Sequence, residues 1–213
     1  MINYEEQRKN MVKRQLKARD ITDENVLKAM SEVPREKFVS KSLANRAYDD
    51  SSLPIGSSQT ISQPYMVALM IQVLQPKEDD IILDIGTVSG YAAAVASRIV
   101  KKVYSVEKIK SLAQKATDTI NELGYDNIRI RHADGTDGWP EHAPYDGIMA
   151  AAATTDVPNA LKDQLDTGAS LVIPVDSERG FQRLKLYHKK EDGSFEISEL
   201  HPVRFVPLVS STD

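Results

Sequence analysis

The sequence predicts an α/β protein with a doubly wound, mostly parallel seven-stranded sheet, an antiparallel edge hairpin and an N-terminal helical extension. From residue 81 onward, short apolar runs alternate with helical segments, which is typical of strand-helix units on a parallel sheet. Two later runs flank the dipeptide Asp192-Gly193, a sequence that favours a tight antiparallel turn.

The chain has 213 residues and a formal net charge of −4, and this length favours a single domain with one sizeable core. We interpret residues 1–213 as one domain with three parts. Residues 1–80 form N-terminal helices and a loop, residues 81–175 form strand-helix units, and residues 176–213 form the C-terminal edge strands. A pI of about 5.6 does not indicate a nucleic-acid-binding protein, which normally has a basic face.

Several kinds of site are excluded or disfavoured by composition. There is no cysteine, so disulfides, Cys-ligated metals and thiol nucleophiles are excluded. The four histidines form no short-spaced pair, and we therefore expect no metal site. The polar N-terminus lacks the apolar run of a signal peptide, and no stretch is apolar enough to cross a membrane. We expect a cytoplasmic protein without a membrane partner.

The first 80 residues have helical periodicity interrupted by one polar segment. Apolar residues recur at helical spacing from Met11 to Leu16, and Thr22 with two following acids predicts the cap of a second helix that ends near Pro34. The polar stretch 48–63 predicts a loop over a surface or a site. Pro64 suits the first turn of a third helix.

The remaining elements follow in order. The predicted strands are 81–85, 103–106, 128–131, 146–151, 170–175 and the hairpin strands 184–189 and 195–200. The predicted helices are 91–100, 108–123 and 158–165.

The segment IILDIGTVSGYAAAVA places Gly86 and Gly90 between an apolar strand and an alanine-rich helix. In doubly wound sheets this turn lies at the carboxyl edge of the strands, where nucleotides bind. Val88 and Tyr91 stand where a dinucleotide fingerprint has glycines, so NAD is disfavoured. Glu107 ends the next apolar run, where a carboxylate can accept both ribose hydroxyls. The alternative is that the glycines only turn the chain and that Glu107 caps a helix starting at residue 108.

The string ADGTDGWPEHAPYDGI, at residues 133–148, resembles the signature of the protein-L-isoaspartate O-methyltransferases. Three further stretches resemble the same family in the family's order: VPREKFV at 33–39, LPIGSSQTISQPYMVA at 53–68 and RFVPLV at 204–209. The resemblance implies a class I, Rossmann-like methyltransferase fold with S-adenosyl-L-methionine as cofactor. It also implies methyl transfer to the free α-carboxylate of L-isoaspartyl residues of damaged proteins or peptides, with D-aspartyl residues as a further candidate. We expect a monomer.

The resemblance also implies the site residues. Ser62 is the implied catalytic residue, its hydroxyl bonding the accepting carboxylate, although a serine before Pro64 could equally be a helix N-cap. The implied cofactor-binding residues are Thr60, Ile61, Gly86, Thr87, Gly90, Glu107, Asp134 and Gly135, where the last two could instead form an Asp-Gly turn. The implied substrate-binding residues are Ser58, Gln59, Val206, Pro207 and Leu208, where the last three could instead be an apolar strand end. Asp84 is expected to brace the glycine loop.

The sequence departs from the family at four glycines, replaced here by Ser58, Val88, Ala169 and Asp176. Val88 stands at the middle glycine of the loop, where a β-branched residue is expected to be strained or to project into the cofactor's space. Two alternatives therefore stay open. One is a methyltransferase with another carboxylate acceptor, and the other is a non-catalytic relative that binds peptide.

Overall fold

The fold is described from a computed structural model of residues 2–177 and 180–208. Its strands are β1 (Leu53–Gly56), β2 (Gln59–Ile61), β3 (Ile81–Ile85), β4 (Lys102–Glu107), β5 (Ile128–His132), β6 (Tyr145–Ala150), β7 (Leu165–Asp176), β8 (Gln182–Lys189) and β9 (Phe195–Val203). The main sheet has seven strands in the order β5-β4-β3-β6-β7-β8-β9. Strands β3 to β7 pair in parallel, and β8 and β9 pair antiparallel at one edge, which confirms the predicted fold class.

The helices are α1 (Tyr4–Met11), α2 (Glu24–Glu32), α3 (Pro64–Leu74), α4 (Tyr91–Ala96), α5 (Lys110–Glu122) and α6 (Asn159–Asp163). A π-helical turn, Val12–Lys17, continues α1, and 3₁₀ turns lie at Arg35–Phe38, Lys41–Arg46, Gly135–Asp137 and Pro140–His142. The predicted helices before residue 34 and from Pro64 are confirmed. The second helix is capped by Asp23, whose carboxylate accepts two backbone N–H groups, rather than by Thr22.

The predicted loop at 48–63 was only partly correct, because β1 and β2 form a small hairpin inside it. Its two-residue turn consists of Ser57 and Ser58, with φ of +52° and +56°. Positive φ at both central residues is the mark of the primed turns that suit hairpins, and glycine or asparagine normally occupies them. Two serines at these positions gave no hairpin signal.

Two other predicted boundaries were wrong. Helix α4 ends at Ala96 instead of residue 100, where the chain leaves the helix through tight turns and the Ser97 hydroxyl donates to the Ala94 carbonyl. Helix α6 ends at Asp163, and residue 165 begins β7 five residues before the predicted strand. The pairing of β6 with β7 is irregular around Gly168, which has φ +80°. The sequence there resembles a turn, so the first part of β7 was not predicted as strand.

Two apolar clusters pack on opposite faces of the sheet, as the alternation of strand side chains requires. One combines the N-terminal helices with residues such as Ile82, and the other combines residues such as Leu83 with Leu161 of α6. This packing leaves the carboxyl ends of β3, β4, β5 and β6 at one edge, beside the 48–63 segment. Within the described residues, no helix is both long and apolar enough to span a lipid bilayer.

Candidate functional site

Two adjoining cavities lie where the parallel strands end. The small cavity, about 100 Å³, is lined by residues that include Gly86, Glu107 and Gly135. The large cavity, about 750 Å³, is lined by Thr60, Ser62 and a polar rim. Val88, Ala151 and Val206 border both cavities. Five separately predicted segments are therefore brought together at one edge.

The glycine loop, residues 86–90, is fixed by backbone hydrogen bonds to the neighbouring strand. The N–H groups of Gly86 and Thr87 both donate to the Val106 carbonyl, at 2.9 and 3.2 Å, and the Gly90 N–H donates to the Thr87 carbonyl at 2.8 Å. Gly90 has φ +87°, and a Cβ there would lie 3.4 Å from Ala116 of α5. Gly90 thus packs against α5, whereas Gly86 lines the small cavity.

Val88 adopts a left-handed conformation with φ +55°, so the strain predicted at the middle of the loop is present. This conformation costs an L-residue roughly 1–2 kcal/mol. The Val88 N–H donates to Glu107 Oε2 at 2.8 Å, and a hydrogen bond to a charged group contributes about 1.5–3 kcal/mol. The two effects are of similar size, so the loop can keep its shape without glycine.

The other three residues that replace family glycines differ in backbone conformation. Ser58 has φ +56° at the exposed hairpin turn and is strained like Val88. Ala169 and Asp176 lie in β7 without positive φ, and Asp176 pairs with Gln182 in the regular ladder. Only Ser58 and Val88 therefore occupy backbone conformations that favour glycine.

Glu107 is buried, with 5% of its surface exposed, and each carboxylate oxygen accepts a backbone N–H. Oε2 accepts from Val88, and Oε1 accepts from Ile109 at 2.8 Å. The alternative in which Glu107 caps a helix starting at residue 108 was wrong in detail, since α5 begins at Lys110. Each oxygen keeps further acceptor capacity, and the side chain lines the small cavity.

Asp84 braces the glycine loop through a chain of buried hydroxyl groups, as predicted. Ser105 Oγ donates to Asp84 Oδ2 at 2.7 Å and lies 2.5 Å from Thr87 Oγ1. Burial raises the pKa of Asp84 to about 7, against the lowering effect of the Ser105 hydrogen bond and with a further increase from the Glu107 carboxylate. The Thr87 hydroxyl is used inside the protein and lines neither cavity.

In the segment after β5, Asp134 caps a short turn and Gly135 lies close to β3. Asp134 Oδ1 accepts the Thr136 N–H at 2.9 Å and the Thr136 hydroxyl at 2.7 Å, which caps the short turn that follows. Gly135 lines the small cavity, and a Cβ there would lie 2.8 Å from Ile85 Cγ2. Asp134 and Gly135 thus do form a turn, and Gly135 also lets the chain pass close to β3.

Ser62 lies half-buried on the wall of the large cavity. The N-cap of α3 is Gln63, and no side-chain cap bond is formed there, so the reading of Ser62 as a helix cap was wrong. Among the described residues, the Ser62 hydroxyl has no hydrogen-bond partner. Its carbonyl accepts from Arg35 Nη2 at 2.7 Å. Sequence reasoning did not single out Arg35, because three charged residues stand together in VPREKFV and nothing in the motif marks this one as buried.

The other predicted residues of this segment lie at different depths. Thr60 lines the large cavity and Gln59 the small one, whereas Ile61 is buried and Ser58 lies at the exposed turn, away from both cavities.

Residues 206–208 close the small cavity from the side of β6. The Ala153 N–H donates to the Val206 carbonyl at 2.8 Å, and the Leu208 N–H donates to the Ala153 carbonyl at 2.6 Å. All three residues, including Pro207, line the small cavity, and Val206 also borders the large one. The predicted peptide wall therefore lies mainly over the small cavity. Val209, the last residue of the RFVPLV motif, lies outside the described residues.

The sheet, the loop after its first parallel strand and the acid at the end of the next strand define a class I S-adenosylmethionine-dependent methyltransferase. Residues 6–213 match the model of the family described as protein-L-isoaspartate(D-aspartate) O-methyltransferase. The chain belongs to this family.

Individual relatives agree with the family match. The chain is 49% identical to a protein-L-isoaspartate O-methyltransferase of Pelotomaculum thermopropionicum over 95% of this chain and 88% of the relative. A solved protein-L-isoaspartate O-methyltransferase superposes with a TM-score of 0.87 at 29% identity, covering 94% of this chain and 65% of that one. A Plasmodium falciparum relative, solved with S-adenosyl-L-homocysteine, gives a TM-score of 0.81 at 27% identity, covering 95% and 98%.

The residues present fit S-adenosyl-L-methionine, the cofactor of this family. The small cavity offers a carboxylate acceptor at Glu107, the close backbone approach at Gly135 and apolar walls from Ile85 and Ile109. Its volume of about 100 Å³ is below the roughly 300–1,000 Å³ of small-molecule sites. The large cavity adjoins it at Val88, and the two cavities together offer room for a ligand of this size. Within the described residues, no group of three or more histidine, aspartate or glutamate side chains is placed to hold a metal ion.

Replacing Val88 by glycine is expected to tighten binding of S-adenosyl-L-homocysteine about threefold or more, which corresponds to roughly 0.7 kcal/mol. The reason is that the valine side chain borders both cavities, and removing it leaves more room for the cofactor. Isothermal titration calorimetry on wild type, Val88→Gly and Val88→Ala measures this. The alanine variant keeps the Cβ and should lie between the two. Weaker binding in Val88→Gly would show that the loop requires valine.

The stability of the protein should depend on pH through Asp84. Because the folded pKa of about 7 lies above the ordinary aspartate value of 3.8, the folded state binds the proton more tightly than the unfolded state. This contribution to stability is complete below pH 3.8 and is lost as pH rises through 7. Relative to Asp84→Asn, which cannot ionise, wild type should lose about 2 kcal/mol of unfolding free energy between pH 5 and 7.5. Urea unfolding at both pH values measures the difference, and equal pH dependence would contradict the raised pKa.

Glu107→Ala is expected to raise the dissociation constant of adenosine at least tenfold, or about 1.4 kcal/mol, if the carboxylate holds the ribose. The substitution also frees the Val88 N–H, so adenosine is compared with 2′,3′-dideoxyadenosine. Wild type should prefer adenosine, and Glu107→Ala should bind both equally. A preference that survives in the variant would rule out the ribose contact.

Proposed function

We propose that this chain transfers the methyl group of S-adenosyl-L-methionine to the free α-carboxylate of L-isoaspartyl residues, with D-aspartyl residues as a further substrate. The single observation that carries the proposal is the Ser62 hydroxyl. It lies on the wall of the large cavity without a partner among the described residues, next to the cavity that contains Glu107 and Gly135. Membership of the family supports the reaction.

Methyl transfer to a carboxylate needs no residue that takes up or releases a proton. The cofactor, when bound, supplies an electrophilic methyl group on a positively charged sulfur. The accepting α-carboxylate is already ionised at neutral pH, so it needs no general base, and this suits a site without cysteine or paired histidines. Donor and acceptor lose their opposite charges during transfer, so alignment and exclusion of water supply much of the acceleration. The neighbouring backbone nitrogen then attacks the methyl ester and expels methanol, which gives a succinimide, and hydrolysis of the succinimide returns part of the product to aspartate.

Three of the predicted groups have a role that their position supports, namely Ser62, Glu107 and residues 206–208. The Ser62 hydroxyl donates a hydrogen bond to the accepting carboxylate and orients it. Glu107 accepts hydrogen bonds from the ribose while it holds the glycine loop. Residues 206–208 form a wall that shields the small cavity and guides an extended peptide past Val206.

We also propose that residues 1–213 act as one domain and as a cytoplasmic monomer that binds neither nucleic acid nor membrane. The shared apolar cluster of the N-terminal helices and the sheet supports one domain. The net charge of −4 supports the absence of a nucleic-acid partner. Light scattering of the purified chain measures its oligomeric state.

The function is tested by methyl transfer from labelled S-adenosyl-L-methionine to an isoaspartyl peptide, beside the same peptide with ordinary aspartate. Labelling of the isoaspartyl peptide alone supports the proposal. Labelling of both peptides indicates another carboxylate acceptor. Labelling of neither, together with binding of the isoaspartyl peptide, indicates a non-catalytic peptide-binding protein.

Ser62→Ala is expected to lower kcat for the isoaspartyl peptide at least tenfold, or about 1.4 kcal/mol of activation free energy, because the acceptor loses its orienting donor. The dissociation constant of S-adenosyl-L-homocysteine should change less than twofold. Ser42→Ala is the control, since Ser42 is an exposed serine of the turn Lys41–Arg46 that lines neither cavity and should leave kcat unchanged. Equal losses of kcat and cofactor affinity in Ser62→Ala would make Ser62 a structural residue.

A further inference from the structure

Arg35 is a charged residue with 0% of its surface exposed, in the 3₁₀ turn Arg35–Phe38. Arginine is almost never fully buried unless it is paired. Among the described residues, no carboxylate forms an ion pair with Arg35. Its partners are instead two backbone carbonyls and an aromatic ring.

The two carbonyls belong to opposite ends of the segment that lines the large cavity. Arg35 Nε donates to the Ala47 carbonyl at 2.7 Å, and Nη2 donates to the Ser62 carbonyl at 2.7 Å. Asp50, Ser52 and Thr60 lie between these two points and line the cavity. One planar guanidinium therefore joins the start and the end of the segment.

The third contact connects Arg35 with the glycine loop. The guanidinium carbon lies 4.7 Å from the centre of the Tyr91 ring, a geometry that favours a cation–π interaction. Tyr91 is buried and is the first residue of α4, directly after Gly90. The edge of the Phe38 ring packs against it at 5.5 Å. Arg35 thus lies between the loop that carries Ser62 and the helix that follows the glycine loop.

Arg35 satisfies a carbonyl, that of Ser62, which helix α3 leaves without a partner. Gln63 is the N-cap of α3 and Pro64 its first residue, so the Ser62 carbonyl precedes the helix and takes no part in its hydrogen bonding. Fixing this carbonyl fixes the peptide plane at Ser62, and with it the direction in which the side chain leaves the backbone.

Burying this charge has a cost that a neutral residue would avoid. Burial lowers the pKa of Arg35 to about 10, although the side chain stays protonated at neutral pH. Apolar residues of similar volume often replace buried charges without loss of stability. An apolar side chain could fill the space, but it could not join the Ala47 and Ser62 carbonyls.

We propose that Arg35 is a positioning residue that fixes the Ser62 backbone, and hence the acceptor site, relative to the glycine loop. This inference rests on the proposed function for its kinetic effect, and its structural part can be tested without activity.

The variants are Arg35→Lys and Arg35→Met, with Arg8→Lys as the matched control. Lysine keeps the charge but cannot reproduce the fork of guanidinium donors, and methionine removes both. Arg8 also donates to a backbone carbonyl, that of Glu32, at 2.7 Å, but on the helices α1 and α2. We expect both Arg35 variants to bind S-adenosyl-L-homocysteine within twofold of wild type and to lose kcat at least tenfold at saturating peptide. Arg8→Lys should keep the wild-type kcat.

Hydrogen exchange provides a readout that does not depend on activity. Both Arg35 variants should exchange faster in residues 47–63, and the strands of the sheet should keep their wild-type protection. A wild type that labels no isoaspartyl peptide would refute the proposed function, and the exchange pattern would still decide the role of Arg35.

Three results would overturn the proposal. One is an Arg35 variant with the kcat and exchange pattern of wild type. Another is a proportional loss of cofactor affinity and kcat with faster exchange throughout the sheet. The third is failure of both Arg35 variants to fold, which would make Arg35 a residue for folding alone.

Discussion

The hydrogen bond from the Val88 N–H to Glu107 is the interaction on which the cofactor side of the site depends. It holds a β-branched residue in a left-handed conformation at the point where two strand ends meet. Strained conformations persist only where surrounding contacts over-determine them. Here the loop is also held by the Val106 carbonyl and by the hydroxyl chain to Asp84. The loss of a glycine is thereby compatible with a formed loop.

The two neighbouring carboxyl groups at this edge have different tasks because their surroundings differ. Asp84 is buried beneath the loop, its pKa is raised by burial, and it anchors hydroxyl groups. Glu107 lies at the cavity surface, where its oxygens accept backbone N–H groups and retain acceptor capacity. On the acceptor side, Arg35 has a comparable anchoring role for the Ser62 backbone. The cofactor side and the acceptor side of the site are thus each held by a buried group, Asp84 and Arg35, that does not itself line a cavity.

Much of the fold followed from local pattern. Alternating apolar runs and helices predicted the parallel strands, and Asp192-Gly193 predicted the edge hairpin, because these signals are contained within short windows. The β1–β2 hairpin was missed because Ser57 and Ser58 adopt positive φ at turn positions that glycine or asparagine normally occupies. The early start of β7 was hidden by a register irregularity next to β6, which only the neighbouring strand reveals. Ser62 was predicted from the family motif and Glu107 from its position at the end of an apolar run, but contacts between distant segments, such as those of Arg35, have no local signature.

A crystal structure of the wild-type chain with S-adenosyl-L-homocysteine would show directly how the glycine loop holds the cofactor. We expect the ribose hydroxyls to lie within hydrogen-bond distance of Glu107 while the Val88 N–H keeps its bond to the same carboxylate. The sulfur atom should point into the large cavity towards Ser62. A ligand displaced from the glycine loop by the Val88 side chain, or a ribose that contacts other residues, would contradict these expectations.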